Sequence, residues 1–401
     1  MAVRTITGLT TLQTIRDRLA ARPAELIEAR KNGQKVVGWQ GYNMPEELFL
    51  ALGLIPIHVG AGGDDRLVEL GSRYISTKNC VYVRETLGLF AENKDVYIQN
   101  TDFLALDATC LQTYRTAELL EYYFDRKVAV LSVPRNFYWE EARRYFARET
   151  ESFVTRLEEL SGSKLDSVKL EEAIDLYAGI RDAIVTLYDY QAAENDLITW
   201  EEVYEVVLAG YFLDKREYLS LLEALVGELR DAKLVRIADY KGGFQNGARI
   251  FLSGSVIPPG DHKLIDIIGQ VGGRIVGDDL WSGLIPHLDV RVEEKTPAGL
   301  ALAYIGRTPH GALPYLDLKT DPRLARLQSL ISHFKASGVI YHTLRYCDPY
   351  TFKAKETKDV LAAQGIPLLE IHTEYAGSDL EAIRTRVEAF VEILEAGATT
   401  L

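Results

Sequence analysis

The sequence predicts an α/β fold in which two parallel-sheet domains flank a helical segment. Short β-rich runs alternate with helical stretches in both halves of the chain, the middle is almost wholly helical in pattern, and two short motifs recur at matched spacing. We therefore expect an N-terminal helical segment at 1–34, a first α/β domain at 35–140, a helical connector at 141–240 and a second α/β domain at 241–401.

Composition and charge exclude several classes of protein. The 401 residues include 45 Lys and Arg against 58 Asp and Glu, which gives a net charge of −13. An acidic chain without a basic block is not expected to bind nucleic acid. No apolar run approaches the roughly 20 residues that cross a bilayer, and Met1–Thr11 has no signal-peptide core. We expect a cytoplasmic protein with no membrane partner.

The first half of the chain is predicted to hold four strands separated by helices. An N-terminal helix, interrupted at Pro23, precedes them and covers Leu12–Asn32. The predicted strands are Lys35–Trp39, Ile55–His58, Phe103–Leu106 and Val128–Val133, and the helices between them include Pro45–Ala51, Cys80–Ala91 and Cys110–Phe124. This alternation predicts βαβ units around a parallel sheet.

The second half returns to the same alternation after the helical connector. Helical periodicity in the connector covers Glu151–Leu160, Leu170–Gln191, Thr199–Leu208 and Lys215–Asp231. The predicted strands beyond it are Arg249–Leu252, Arg274–Val276, Val339–Tyr341 and Leu368–Ile371, with helices at His262–Gln270, Pro322–Lys335, Thr351–Gln364 and Leu380–Leu394. We expect the connector to be a packed helical unit or lid.

Two motifs indicate an internal duplication. Gly41-Tyr-Asn-Met-Pro45 follows the first strand of one half, and Gly254-Ser-Val-Ile-Pro258 follows the first strand of the other. Pro is favoured in the first turn of a helix, so each motif predicts a helix start. Gly63-Asp-Asp65 and Gly277-Asp-Asp279 then follow the second strand of each half. Two motifs in the same order at similar spacing predict two copies of one domain.

The duplication relates two of the three cysteines. Cys110 follows the predicted strand Phe103–Leu106, and Cys347 follows Val339–Tyr341, so each lies in the loop after the third strand of its half. In a doubly wound sheet ordered 2-1-3-4, ligands bind where strands 1 and 3 end. If the two domains face each other, these cysteines meet across a cleft, and Cys80 reaches the cleft if its helix start points inward.

Three thiolates at one cleft indicate a metal site, with iron–sulfur chemistry as the leading candidate. A structural zinc site usually has a fourth Cys or His ligand, and the sequence contains no closely spaced pair of Cys or His residues that would supply it. The alternative is three separate buried thiols, which pack as small hydrophobic groups.

Three further side chains are candidates for catalysis. Glu46 and Glu47 begin a helix at the first cleft loop, where they act either as an acid or base or only as complements to the helix dipole. Arg84 follows Cys80 by one helical turn, so it either faces the cleft or forms a surface ion pair. The four aspartates of the repeated motif are expected to cap helices or turns, and they are Asp64, Asp65, Asp278 and Asp279.

The sequence resembles the 2-hydroxyacyl-CoA dehydratase family, which includes the benzoyl-CoA reductase iron–sulfur subunits and a double-cubane branch. The resemblance extends from about Lys35 to Leu394 and is most specific in the joint order of three cysteine blocks. The matching blocks are Lys35–Pro56, Asn79-Cys-Val-Tyr-Val-Arg84, Thr109-Cys110, Arg345-Tyr-Cys-Asp-Pro-Tyr350, Gly365-Ile-Pro-Leu-Leu369 and Glu374-Tyr375.

This resemblance implies two flavodoxin-like domains and one [4Fe-4S] cluster bound by Cys80, Cys110 and Cys347. It also implies a dimer that receives single electrons from an ATP-hydrolysing iron–sulfur activator protein. In the dehydratases of the family the electron drives radical dehydration of a 2-hydroxyacyl-CoA. The substrate is then an acyl-CoA, and the partner is a homologous subunit.

Two departures from the family pattern leave the subunit type open. Trp281 stands where many members have a smaller residue or a cysteine, and the Tyr42-Asn43 stretch lacks a serine found near the catalytic cluster of some members. The alternatives are an ATP-driven reductase component and a non-catalytic electron-relay subunit. The reductase is either an aromatic-CoA reductase subunit or a homodimer that reduces small molecules at a double-cubane cluster.

Overall fold

The computed structural model describes residues 9–193, 197–231 and 247–398. Across those ranges the chain forms eight β-strands, fifteen α-helices and three short 3₁₀ helices. The strands form two four-stranded parallel sheets, which confirms the predicted α/β class. None of the helices in these ranges has the length and apolar character needed to cross a membrane. The expected boundary between 240 and 241 lies outside the described residues.

The first sheet is a doubly wound parallel sheet. Its strands are β1 (Val36–Gln40), β2 (Ile55–His58), β3 (Phe103–Asp107) and β4 (Val128–Leu131). They lie in the order β2-β1-β3-β4, as expected from the sequence. The residues of β1 and β3 are all buried, because helices cover both faces of the sheet.

Six helices accompany the first sheet. The chain forms α1 (Thr10–Lys31), α2 (Glu47–Ala51), α3 (Asp65–Gly71), α4 (Val81–Glu92), α5 (Val96–Gln99) and α6 (Leu111–Phe124). The expected interruption at Pro23 is wrong, since Pro23 lies inside a continuous α1. The helices α3 and α5, which are both short, were not predicted from the sequence.

Four helices form the connector and tie the two sheets together. They are α7 (Glu140–Ser161), α8 (Ser167–Ala192), α9 (Trp200–Ala209) and α10 (Lys215–Asp231). The buried carboxylate of Asp278 accepts hydrogen bonds from the Tyr188 hydroxyl at 2.6 Å and the Trp200 indole at 2.7 Å. Because Asp278 ends a strand of the second sheet, these bonds fix α8 and the start of α9 against that sheet.

The second sheet repeats the topology of the first. It contains β5 (Ala248–Gly254), β6 (Gly273–Asp278), β7 (Gly338–Leu344) and β8 (Leu368–Thr373) in the order β6-β5-β7-β8. Its helices are α11 (Lys263–Gln270), α12 (Pro297–Gly306), α13 (Pro322–His333), α14 (Asp348–Ala362) and α15 (Leu380–Ala398).

The first glycine of the repeated motif lies at the same place in both halves, where the chain leaving the first strand of a sheet passes close to the end of the third strand. Gly41 follows β1 with φ 132°, and Gly254 ends β5 with φ 120°. A Cβ atom at Gly41 would lie 2.3 Å from Cγ of Asp107, and one at Gly254 would lie 2.0 Å from the carbonyl oxygen of His342. Only glycine fits where the first strand of each sheet passes the end of the third.

The two halves differ after this crossing. Pro45 lies two residues before α2, but Pro258 lies five residues before α11. The helix predicted at His262–Gln270 is confirmed, but Pro258 does not lie in its first turn. The second motif also differs, because Gly277 lies within β6 whereas Gly63 lies beyond the end of β2. The duplication therefore holds for the sheets and the crossing but not for the loops.

Candidate metal centre and adjoining cavities

The structure places each cysteine immediately before a helix. Cys80 is the N-cap of α4, Cys110 of α6 and Cys347 of α14. Cys110 and Cys347 lie in the loops that follow β3 and β7, as expected from the sequence. Cys80 is buried and the other two are half-buried, and all three are free thiols.

A backbone contact joins the Cys80 and Cys347 loops. The N–H group of Val81 donates to the carbonyl oxygen of Arg345 at 3.3 Å, and Cys80 and Cys347 pack in one apolar cluster with Val256 and Leu344. A hydrogen bond with Cys347 lowers the pKa of Cys80, whereas the same interaction and burial raise the pKa of Cys347. These two thiols are therefore close neighbours at the contact between the two α/β units.

Cys110 belongs to the same group of thiols. Burial raises the pKa of Cys110, and the charge of Cys80 raises it further, while hydrogen bonds from Thr113 oppose both effects. Cys110 in turn contributes to the raised pKa of Cys347. Each of the three cysteines thus lies within electrostatic range of another.

Backbone N–H groups point at each sulfur. The Thr113 N–H donates to Sγ of Cys110 at 3.4 Å, the N–H groups of Tyr82 and Val83 face Cys80, and that of Tyr350 faces Cys347. The N-terminus of a helix carries partial positive charge and unpaired N–H donors, so it stabilises a thiolate. Three such helix ends would offset the negative charge of a thiolate-bound cluster.

The three thiols are the ligand type that holds iron–sulfur clusters. Within the described ranges, no group of three His, Cys, Asp or Glu side chains converges on one ion. A tetrahedral zinc site would need such convergence, with Zn–S distances of about 2.3 Å. A cluster binds each thiolate through a different iron, so its ligands stand further apart.

Arg84 is positioned by the cysteine loop and stands near Cys80. Its side chain is buried, and it donates from Nε to the Asn79 carbonyl oxygen and from Nη1 to the Ser72 hydroxyl, each at 3.2 Å. Its positive charge lowers the pKa of Cys80. These contacts favour the interpretation that Arg84 serves the cysteine site over a surface ion pair.

Glu46 and Glu47 bind the helical connector rather than the cysteine loops. Glu47 is fully buried and accepts hydrogen bonds from Arg181 at 2.9 Å and from the Tyr304 hydroxyl at 2.8 Å. Glu46 forms an ion pair with Lys215 at 3.0 Å, and burial raises its pKa. Both contacts give the two carboxylates a structural role in fixing α2.

Two of the four aspartates of the repeated motif, Asp64 and Asp278, act as caps, as expected. Asp64 is the N-cap of α3 and accepts from the N–H groups of Arg66 and Leu67. Asp278 accepts from the N–H groups of Leu280 and Leu284 in addition to its bonds with the connector.

Two cavities adjoin the site, and Trp281 lines both of them. The first encloses about 600 Å³ at the carboxyl ends of β5 and β7, the switch point of the second sheet, and includes His310, Arg323 and Lys353. The second, which we call the interdomain cavity, encloses about 720 Å³ between the end of β1, the connector and α12. Trp281 packs edge-on against Tyr82, with ring centroids 6.1 Å apart.

The cations of the interdomain cavity were not predicted from the sequence. Arg181, Lys215 and Arg307 line it, and each side chain is nearly inaccessible to solvent. The sequence did contain an indication that Arg307 is buried. Arg307 directly follows α12, which is apolar all round and therefore buried, so the residue at its end is expected to lie inside the protein as well. The other two could not be distinguished from surface charges on helices.

Comparison with known proteins identifies the family. Residues 41–394 match the model of the 2-hydroxyglutaryl-CoA dehydratase D-component family. The chain is similar to the (R)-phenyllactyl-CoA dehydratase beta subunit of Clostridium sporogenes, at 25% identity over 91% of this chain and 93% of that protein. It is also similar to a subunit of the benzoyl-CoA reductase of Thauera aromatica, at 23% identity over 90% and 91% of the two chains.

A third relative comes from the enzyme that gives the family its name. The (R)-2-hydroxyglutaryl-CoA dehydratase beta subunit of Acidaminococcus fermentans is 25% identical over 94% of this chain and 97% of that protein. These relatives are subunits of dehydratases or of a reductase, and they span nearly the full length of the chain. Because the family model covers most of the sequence, the chain belongs to the 2-hydroxyglutaryl-CoA dehydratase D-component family of enzyme subunits.

Proposed function

We propose that this chain is an iron–sulfur enzyme subunit of the 2-hydroxyacyl-CoA dehydratase type, in which Cys80, Cys110 and Cys347 bind one [4Fe-4S] cluster. The observation that carries the proposal is the meeting of three helix N-termini, drawn from both α/β units, with a cysteine at each. The chain contains three cysteines in total, so all of them are used and one iron keeps a position for a ligand from outside the chain.

The residues around the thiols have separable tasks. The bound cluster would supply single-electron chemistry and an iron able to bind a substrate oxygen. The N–H groups of Val83 and Thr113 hold thiolates in place, and Arg84 adds positive charge beside Cys80. The hydrogen bond from Val81 to Arg345 keeps the two halves of the ligand set together.

The proposed partners are a second, homologous subunit and an activator protein that hydrolyses ATP. The relatives support the first of these partners, since they are named as alpha and beta subunits of dehydratases. Support for a separate activator comes from the sequence, which lacks the glycine-rich loop with Lys and Ser or Thr that holds ATP phosphates. A reducing cytoplasm suits three free thiols.

Radical dehydration of a 2-hydroxyacyl-CoA is the proposed reaction, because several relatives are named as dehydratases of such thioesters. Trp281 narrows the space between the two cavities and would limit the size of the acyl group. Reduction of an aromatic acyl-CoA is the second candidate, and the similarity to the benzoyl-CoA reductase of Thauera aromatica favours it.

The two candidates are separated by an assay of the reconstituted system. The anaerobic chain is combined with its partner subunit and activator, and supplied with MgATP, a reductant and either (R)-phenyllactyl-CoA or benzoyl-CoA. We expect conversion of the hydroxyacyl ester to the unsaturated ester with loss of water. If only benzoyl-CoA is converted, by reduction, the second candidate reaction is the correct one. If a cluster-loaded complex converts neither ester, both proposed reactions are contradicted.

A further inference from the structure

The interdomain cavity contains three hydrogen-bond donors for which the described residues supply no partner. They are Nε1 of Trp39, the hydroxyl of Tyr177 and Nε of Arg307, and each is buried without a hydrogen bond. Oε2 of Glu46 also lacks a hydrogen bond there, but it forms an ion pair with Lys215. The three side chains are exposed by 6%, 6% and 5%. All three atoms are hydrogen-bond donors, so the cavity offers an excess of donors to whatever fills it.

Among the described cations that line the cavity, Arg307 is the one without a direct ion pair, and the buried carboxylate of Asp107 lies within electrostatic range of it. Arg181 is paired with Glu47 at 2.9 Å, and Lys215 is paired with Glu46 at 3.0 Å. Arg307 instead donates to two backbone carbonyl oxygens, those of Pro286 at 2.8 Å and of Tyr42. A buried charge without a counter-ion is costly, and an anionic ligand would remove that cost.

The Arg307 guanidinium is held rigidly while its Nε stays available. It lies over the ring of Tyr42 at 4.1 Å and over the ring of Tyr304 at 4.6 Å. Stacking and carbonyl hydrogen bonds fix the plane of the group, so little conformational entropy is lost when a ligand binds.

The remaining walls of the cavity are apolar and aromatic. They are formed by Met44, Ile180, Ile184, Val207, Tyr211 and Trp281, among others. Mostly apolar walls with a few convergent polar groups are typical of a site for a small organic molecule. An inorganic ion would leave these walls without contacts.

We propose that the interdomain cavity binds an organic monoanion, a carboxylate on an apolar body, whose oxygens accept from Arg307 Nε and the Tyr177 hydroxyl. The apolar body lies against the aliphatic and aromatic walls. Glu46 lies beside the Tyr177 hydroxyl, and its ion pair with Lys215 at 3.0 Å offsets its negative charge toward the carboxylate. No cysteine takes part, so the proposed ligand site is separate from the proposed cluster.

Calorimetric titration of the purified full-length chain tests the proposal. The probe is 3-phenylpropionate, and the matched neutral probe is 3-phenylpropionamide. We expect the carboxylate to bind at least about tenfold more tightly than the amide, because only the carboxylate compensates the buried guanidinium. Equal affinities, absence of carboxylate binding, or a crystal structure with only water in the cavity would overturn the proposal.

A pair of tyrosine variants locates the binding. Tyr177→Phe removes a hydroxyl without a hydrogen bond, so it should leave folding intact and weaken carboxylate binding about tenfold. Tyr218→Phe is the control in the same cavity, since its hydroxyl donates to the Val206 carbonyl oxygen at 2.9 Å and faces no ligand, and it should change affinity by less than about twofold. Equal affinity in wild type and Tyr177→Phe would contradict this site.

The iron content of the same samples is measured alongside. Carboxylate binding without iron would contradict the proposed cluster and leave the cavity proposal intact. A full cluster without carboxylate binding would contradict the cavity proposal and leave the proposed cluster intact.

Discussion

The N–H group of Val81 donates a hydrogen bond to the carbonyl oxygen of Arg345 at 3.3 Å, across the contact between the two α/β units. Val81 directly follows Cys80, and Arg345 lies two residues before Cys347. One backbone contact therefore sets the separation of two thiols that lie far apart in the sequence. The proposed ligand set is a property of the interface between the units, because neither unit contains it alone.

Arg84 should tune the proposed cluster electrostatically. Arg84→Gln removes a buried positive charge beside Cys80, and loss of that charge disfavours the reduced, more negative state. We expect a reduction potential that is more negative by tens of millivolts, on the order of 50 mV, in a redox titration followed by electron paramagnetic resonance. Arg73→Gln, an exposed change on the preceding turn, is the control and should leave the potential unchanged. An identical shift in both variants would contradict the role of Arg84.

Glu47 should contribute to stability more than to catalysis. Glu47→Ala leaves the Arg181 guanidinium buried without its carboxylate, which is expected to lower the free energy of unfolding by about 3–5 kcal/mol. The control is Glu172→Ala, which breaks a solvent-exposed pair with Arg216 and should cost less than about 1 kcal/mol. Urea titration measures both values. A Glu47→Ala protein with wild-type stability and no activity would restore the catalytic interpretation.

The glycine at the second-sheet crossing should not tolerate a side chain. Gly254→Ala adds a Cβ atom 2.0 Å from the His342 carbonyl oxygen at a φ of 120°, so we expect a loss of at least about 2 kcal/mol in the free energy of unfolding. Gly269→Ala, in open space within α11, should instead stabilise the protein by up to about 1 kcal/mol. Equal stabilities of the two variants would contradict the crossing geometry.

Glu85 should make the stability depend on pH. Burial and, to a smaller extent, the carboxylates of Asp64 and Asp261 raise the pKa of Glu85 to about 8, although a hydrogen bond from the Asp64 N–H lowers it. A carboxyl group with a raised folded-state pKa contributes stability below its unfolded-state pKa of about 4.5, and this contribution is lost as the pH rises through about 8.

Chemical denaturation across that pH range measures the effect. Wild type should lose stability on the order of 3 kcal/mol between pH 5 and 8 relative to Glu85→Gln, which cannot ionise. Glu69→Gln, an exposed change on the neighbouring helix α3, should follow the wild-type profile. A Glu85→Gln profile parallel to wild type would show that the buried carboxyl does not titrate in this range.

The strands were predictable because parallel strands covered on both faces are continuous apolar runs. Each of the eight observed strands overlaps a predicted one, and the strand order followed from the rule for doubly wound sheets. Once β3 and β7 were located, the positions of Cys110 and Cys347 after them followed directly. The helices α3, α5 and α12 were missed. One or two turns, as in α3 and α5, give too little periodicity to recognise, and α12 (Pro297–Gly306) is too uniformly apolar to show a polar face.

The surroundings of the candidate site were less predictable, because they depend on packing between distant elements. The pairing of Glu47 with Arg181, and of Glu46 with Lys215, requires α2 to lie against the connector. A sequence pattern places a carboxylate at a helix start but does not say which helix crosses it. The role of Arg307 could not be predicted for the same reason, because it depends on which of the described side chains pack beside it.

Iron and acid-labile sulfide analysis of the anaerobically purified chain tests the central claim most directly. We predict about four irons and four sulfides per wild-type chain, as a [4Fe-4S] cluster requires, and a large loss of both in each of Cys80→Ser, Cys110→Ser and Cys347→Ser. Thr357→Ser, a buried change of similar size on α14, is the control and should retain the full complement. A wild-type chain without iron, or a Cys347→Ser chain with an intact cluster, would contradict the claim.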